Sequence, residues 1–162
     1  MKIELKKLKI FLAGSEETYC FTTELWIDGK YQGSARNDGR GGCHIISPPS
    51  LEKDMNDWGK TLSPVVLAEP DMSFPQDAET LINDLIETHL VSKDLKKLFT
   101  KHIVYTKRGE VGVFQIKSVR KPAEVFMLKN TVEQMRTKFN IDKILNLIPF
   151  DEALKIYREQ GR

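Results

Sequence analysis

The sequence predicts an α+β protein in which strands and helices are segregated along the chain. Three observations carry that expectation. The first third alternates apolar and polar residues at the period of a strand and holds Asp28-Gly29, a two-residue hairpin signal. Residues 78–90 place Ala78, Leu81, Ile82, Leu85, Ile86 and Leu90 on one helical face. Between these patterns, residues 45–76 hold five of the seven prolines, so an irregular connection separates them. Strands first and helices later is the order of an α+β fold.

Each element has its own warrant. Ile3 and Leu5, then Leu8, Ile10 and Leu12, alternate with polar residues but change phase between Leu5 and Leu8. That predicts a first strand bulged at Lys6-Lys7. GSEET at 14–18 is turn chemistry. Tyr19, Phe21, Thr23, Leu25 and Ile27 then alternate with Cys20, Thr22, Glu24, Trp26 and Asp28 in a second strand. A type I′ turn needs positive φ at both central residues, which Asp28-Gly29 supplies, and KYQGSAR at 30–36 returns as a third. The N-terminal third is therefore expected to be a three-stranded antiparallel meander.

The connection 45–76 is expected to be mostly extended and surface-lying. A short helix over Leu51 to Trp58 fits it, capped by Ser50, with Glu52 and Asp54 favouring its N-terminus. Trp58, Leu62, Val65, Val66, Leu67 and Phe74 argue that parts of it pack. Pro75-Gln76-Asp77 opens the strongest helix, and Ser92 starts a second, SKDLKKLFTK, with Leu95, Leu98 and Phe99 as its apolar side. His102 to Thr106 and Val111 to Lys117 alternate around KRGE, which reads as a second hairpin. AEVFMLK at 123–129 reads as a further strand. Thr131 with Gln134 fits a capping box for a helix carrying Val132, Met135 and Phe139. Lys143-Ile144-Leu145 reads as a short strand or a turn. A final helix begins near Pro149, with Asp151 and Glu152 in its first turn and Gly161 past its end.

A chain of 162 residues, 40% hydrophobic and 30% charged, is long enough for one globular domain. If it divides, the expected parts are 1–45, the meander, and 76–162, the helices with the second hairpin. No apolar run is long enough to span a bilayer, and the start, MKIELKKLKIFLAG, is too interrupted by charge for a secretory signal. Cys20 and Cys43 are too few for a disulfide framework, so a reducing cytoplasm is the expected location. The net charge of +2 conceals blocks of opposite sign: residues 44–92 carry −7 and residues 93–143 carry +8. Such polarity steers a charged partner, or the two blocks neutralise one another.

NDGRGGCH at 37–44 draws the eye as a phosphate cradle, half of a catalytic dyad, or a tight turn. It is neither GxxxxGK[ST] nor GxGxxG, so the phosphate reading lacks its fingerprint. As a turn, Asn37-Asp38-Gly39 supplies left-handed conformations at the end of the third strand. As a contact loop, Asn37, Asp38 and Arg40 would meet a partner. Cys43 and His44 are adjacent, so on extended backbone they point apart, and His44 is badly placed to take the thiol proton. Cys43 with His89 or His102 remains the alternative dyad. The cysteines and histidines show no metal-ligand spacing, so no metal and no cofactor are expected.

The basic segment 93–143 is the other signal. Lys101, Lys107, Arg108, Lys117, Arg120 and Lys121 lie on or beside the second hairpin, with Tyr105 and Phe114 among them. Basic strands with interleaved aromatics bind single-stranded nucleic acid, but the same alternation arises when aromatics turn inward simply to fold.

The stretches SEETYCFTTELWIDGKYQGSARNDGRGGCH, SKDLKKLFTKHIVYTKRGEVGVFQIK and KILNLIPFDEALKIYR resemble a family of small uncharacterised proteins of bacterial genomes, phages and plasmids. That pattern carries His in NDGxGG where this chain has Arg40. The resemblance implies no activity, and it implies a mobile-element setting in which small accessory proteins act on host complexes, including defence complexes of the CRISPR type. Taken together, the reading leans away from an enzyme. The expected function is a non-enzymatic binding protein, an inhibitor or counter-defence factor, whose partner is a host protein or protein–nucleic acid complex and not a membrane. Its contact residues would be Asn37, Asp38, Arg40, Lys107, Arg108, Arg120 and Lys121. The alternatives are a nucleic-acid-binding domain led by 93–143, and a cysteine-dependent or nucleotide-handling enzyme using Cys43.

Overall fold

Alternation over Cys20–Ile27 buries Phe21, Thr23 and Leu25 and leaves the residues between them more open, and an antiparallel sheet is built around that strand. The computed structural model describes residues 1–66 and 72–161; Leu67 and Pro70 of the connection lie outside them. The fold is α+β, and its chain divides into two compact units, Met1–Glu87 and Thr88–Arg162. The division falls inside a helix, not at the 45–76 connection, because that connection folds onto the N-terminal sheet.

In the first unit, β1 (Ile3–Ile10), β2 (Cys20–Ile27), β3 (Lys30–Asp38) and β4 (Ile45–Ser47) form one antiparallel sheet in sequence order. The meander thus has a fourth strand. Ile46 pairs with Ala35, and three residues before a proline pair are too few to show a period in sequence. The bulge in β1 is where the phase change puts it: the register slips between Lys6 and Lys9, and Lys7 adopts φ 52°. Thr23 Oγ1 donates to the Lys6 carbonyl within this irregularity, at 3.1 Å. Asp28 and Gly29 have φ of 50° and 79°, the pair of positive values that the two-residue turn requires.

α1 (Pro49–Gly59) follows β4. Pro48 stands at its N-cap without a side-chain bond, so Ser50 lies within the helix and does not cap it. Proline at the first helical position is preorganised for the helix and gives up no needed N–H. β5 (Val65–Val66) and β6 (Ser73–Phe74) form a small ribbon in which Val66 and Phe74 are exposed rather than packed. Leu25, Met55, Ile82 and Ile86 are fully buried, each contributing about 1.5–3 kcal/mol.

α2 (Ala78–Phe99) is one continuous helix where two were expected. ETHLVSK contains neither Pro nor Gly, and Val91 is buried, so nothing interrupts the hydrogen-bond ladder at Ser92.

In the second unit, β7 (His102–Lys107) lies between β8 (Glu110–Lys117) and β9 (Ile141–Ile144). β7 is buried on both faces. Val104 packs with Leu95, Leu145 and Ala153, while Ile103 and Tyr105 pack with Ile141 and Ile144. α3 (Pro122–Phe126) replaces the strand expected over 123–129: Pro122 opens a short helix whose Val125 and Phe126 reach the second of these cores. α4 (Thr131–Phe139) is capped by Asn130 at φ 64°, with no side-chain bond, so the capping box does not form. Glu133 pairs with Arg136 instead. α5 (Phe150–Gln160) starts after Pro149 and carries Asp151 and Glu152 in its first turn.

Candidate functional site

The glycine-rich turn joins β3 to β4, and side chains beneath it hold it closed. β3 alternates, so Ala35 and Asn37 face inward while Arg36 and Asp38 face out. Asn37 is therefore buried, at 6% exposure, and belongs to the scaffold of the turn and not to an exposed contact surface. Its Oδ1 accepts from Thr18 Oγ1 at 2.9 Å and from the Gly39 N–H at 2.7 Å. Its Nδ2 donates to the Gly42 carbonyl at 3.0 Å and lies 3.1 Å from His44 Nδ1.

The imidazole is held at both nitrogens. The Asn37 amide, oriented by its two donors, turns Nδ2 toward His44 Nδ1, and His44 Nε2 lies 3.1 Å from Asn83 Oδ1. Glu79 Oε1 accepts the His44 backbone N–H at 2.7 Å and stands 3.2 Å from Nδ1. The ring packs edge-on against Phe21 with centroids 4.9 Å apart. His44 is a structural pillar whose two nitrogens are both engaged within the first unit.

The far side of the turn is equally fixed. The Gly39 carbonyl accepts from the N–H groups of Glu16 and Glu17, at 2.9 and 3.0 Å. Gly39 has φ 86°, and a Cβ there would overlap the Gly14 carbonyl, so this close approach of two backbones requires glycine. Above Gly41 lies the Glu17 carboxylate, 2.5 Å from where a Cβ would stand. With Glu79 beneath and Glu17 above, a phosphate at this turn would meet carboxylates, which works against a phosphate cradle.

Cys43 is exposed and His44 is buried. Cys43 opens on a cleft of about 350 Å³ lined also by Glu52, Lys60, Asp77 and Glu79. Its acidic lining suits a cationic or amine-bearing group better than an anion. Among the described residues, no group of three or more His, Cys, Asp or Glu is placed to hold a metal ion.

Asp38 and Arg40 are exposed beside this anchored turn. The other four expected contacts belong to the second unit. Lys107 is half-buried: its Nζ pairs with Glu110 Oε2 at 3.1 Å and sits 4.1 Å above the Phe114 ring. Arg108 is exposed in the hairpin turn, where Asn140 grips its backbone at both N–H and carbonyl. Arg120 and Lys121 are exposed before α3. Tyr105 is 5% exposed and stacked on Phe114 at 5.9 Å, so on this hairpin the aromatics turn inward. His89 is exposed on α2 and His102 opens β7, both within Thr88–Arg162.

Thr18, His44, Glu79 and Asn83 were not legible as supports of the turn. The alternation of β3 carried part of the signal, since it sets Asn37 on the same side as the buried Ala35. No protein-family model, no curated protein and no solved structure matches this chain. No helix is long and apolar enough to cross a membrane among the described residues.

Proposed function

We propose that the protein is a non-enzymatic binding protein that presents the turn between β3 and β4 to a macromolecular partner. The observation that carries this reading is the anchoring of the turn: Asn37 holds Gly39, Gly42 and His44 from below, and Asp38 and Arg40 project from a backbone already fixed. A loop held in this way loses little conformational freedom when it docks, so its contacts convert efficiently into affinity. The imidazole nearest the exposed thiol is engaged with Asn37 and Asn83, which leaves Cys43 without that base.

The partner class, a host protein or protein–nucleic acid complex of the defence type, rests on the family resemblance alone. Capture from host lysate on immobilised protein tests the reading. Asp38→Ala with Arg40→Ala is expected to lose a specifically captured partner, and undiminished capture removes the turn from the binding surface.

A further inference from the structure

The sheet of the first unit has a second face that its core does not use. Because β2 turns Phe21, Thr23 and Leu25 inward, Cys20, Thr22, Glu24 and Trp26 face outward. Residues directly paired across an antiparallel ladder share a face. The register therefore sets Lys9, Thr22 and Arg36 side by side in one row, with Lys6 beside Glu24 in the next and Tyr31 beside Trp26 beyond. Lys6, Lys9, Thr22 and Arg36 are all exposed.

Exposed aromatic rings flank these rows on either side along the strand direction. Tyr31 is 57% exposed and meets Trp26 edge-on at 6.2 Å. Phe11 is 65% exposed at the opposite end, its N–H donating to the Cys20 carbonyl at 2.9 Å. From Cys20 to Trp26 the strand runs about 20 Å at its usual rise. Beside Phe11 a groove of about 340 Å³ runs past Lys9, Thr22 and Arg36. Lys6 Nζ already rests 3.6 Å from the centre of the Trp26 ring.

The acidic residues of the face are largely neutralised within it. Glu4 pairs with Lys2 and Glu24 with Lys7, both at 2.6 Å. Lys6, Lys9 and Arg36 have no ion pair among the described residues. Asp38, at the Phe11 end, offsets one of these cations. What remains is a shallow antiparallel surface between exposed rings, on which Lys9 and Arg36 make no ion pair and Lys6 lies over Trp26 near Glu4 and Glu24.

That combination matches one chemistry better than others. Phosphates need the cations and unpaired bases need the rings, and a duplex would hide its π-faces from both. An acidic peptide would use the cations and leave Tyr31 and Phe11 without a planar partner. Resting on the reading of the protein as a binding module, we infer that the outer face of β1–β3 binds single-stranded nucleic acid, with Lys6, Lys9 and Arg36 on phosphates and Tyr31 and Phe11 stacking on bases.

Fluorescence anisotropy of the full chain with labelled single-stranded DNA and RNA of about twelve nucleotides tests this. Three phosphate contacts predict that affinity falls about 20-fold between 50 and 200 mM salt. Lys9→Ala with Arg36→Ala is expected to flatten that dependence, and Tyr31→Ala to weaken binding by roughly 5- to 150-fold while Tyr31→Phe restores it. All of these side chains are exposed, so an unchanged unfolding midpoint certifies the variants as folded. No binding at 50 mM salt overturns the inference. So does binding indifferent to Tyr31→Ala and Phe11→Ala, which is charge attraction alone, and so does equal displacement by polyglutamate, which points to an acidic protein. If the oligonucleotides fail to bind while Asp38→Ala with Arg40→Ala still abolishes partner capture, this inference falls and the binding-protein reading stands.

Discussion

Asn37 Nδ2 stands 3.1 Å from His44 Nδ1, and this contact ties the first residue of the glycine-rich stretch to its last. The same amide group serves Thr18, Gly39 and Gly42, so one buried side chain sets the shape of the whole turn. Asn37→Ala leaves the Gly39 N–H and the His44 ring without these partners. The expected loss is about 1–3 kcal/mol in denaturant unfolding, with faster amide exchange at 39–43. An unchanged midpoint would mean that the turn is held from elsewhere.

Two glycines with nearly the same backbone separate conformation from crowding. Gly29 and Gly39 have φ of 79° and 86°, but a Cβ at Gly29 meets nothing within 4 Å, whereas at Gly39 it meets the Gly14 carbonyl. Gly29→Ala should cost about 1–2 kcal/mol for the left-handed conformation alone. Gly39→Ala should add about 1–3 kcal/mol of overpacking. Equal midpoints for the two variants would contradict the close approach of 14 and 39.

The pairing of Lys7 with Glu24 predicts a small pH dependence of known sign. The Lys7 ammonium, helped by the Trp26 indole N–H, holds the Glu24 carboxyl below its usual value, and the same bond raises Lys7. A carboxyl lowered in the folded state stabilises above its unfolded value, about 4.3, and that contribution fades as pH falls through the folded one. Wild type should therefore exceed Lys7→Ala in thermal midpoint near neutrality and lose the difference under acid conditions. The pair is exposed, so the difference is small. A gap that widens on acidification has the wrong sign.

Cys43 carries no structural duty that its exposure reveals. Cys43→Ser should shift stability by no more than about 0.5 kcal/mol and leave partner capture intact. Loss of capture on this substitution would return the thiol to the centre of the account.

Much of the fold was readable because its signals are local. The β1 bulge followed from a phase change between Leu5 and Leu8, and the Asp28-Gly29 turn from backbone chemistry that few residue pairs allow. What escaped depends on partners distant in sequence. β4 is three residues long and exists because Ala35 offers it an edge. α3 contains Val and Phe, which favour strands, yet Pro122 and the core under Val125 and Phe126 decide for helix. The alternation of β7 does not fix the face of Tyr105, because β7 is buried on both sides.

The site was legible in outline only. Its glycines, Asp38 and Arg40 follow from turn chemistry, and the opposed directions of Cys43 and His44 from their adjacency, but which of these two lies outward does not. The pillar under it does not, since Glu79 and Asn83 reach His44 from α2, 35 and 39 residues away.

The measurement that bears most directly on the central claim is the affinity of a captured partner for Asp38→Ala with Arg40→Ala, read beside the unfolding midpoint. A rigid contact turn predicts at least tenfold weaker binding, about 1.4 kcal/mol, at an unchanged midpoint. Wild-type affinity in this doubly substituted protein would show that the turn is held in place for some purpose other than contact.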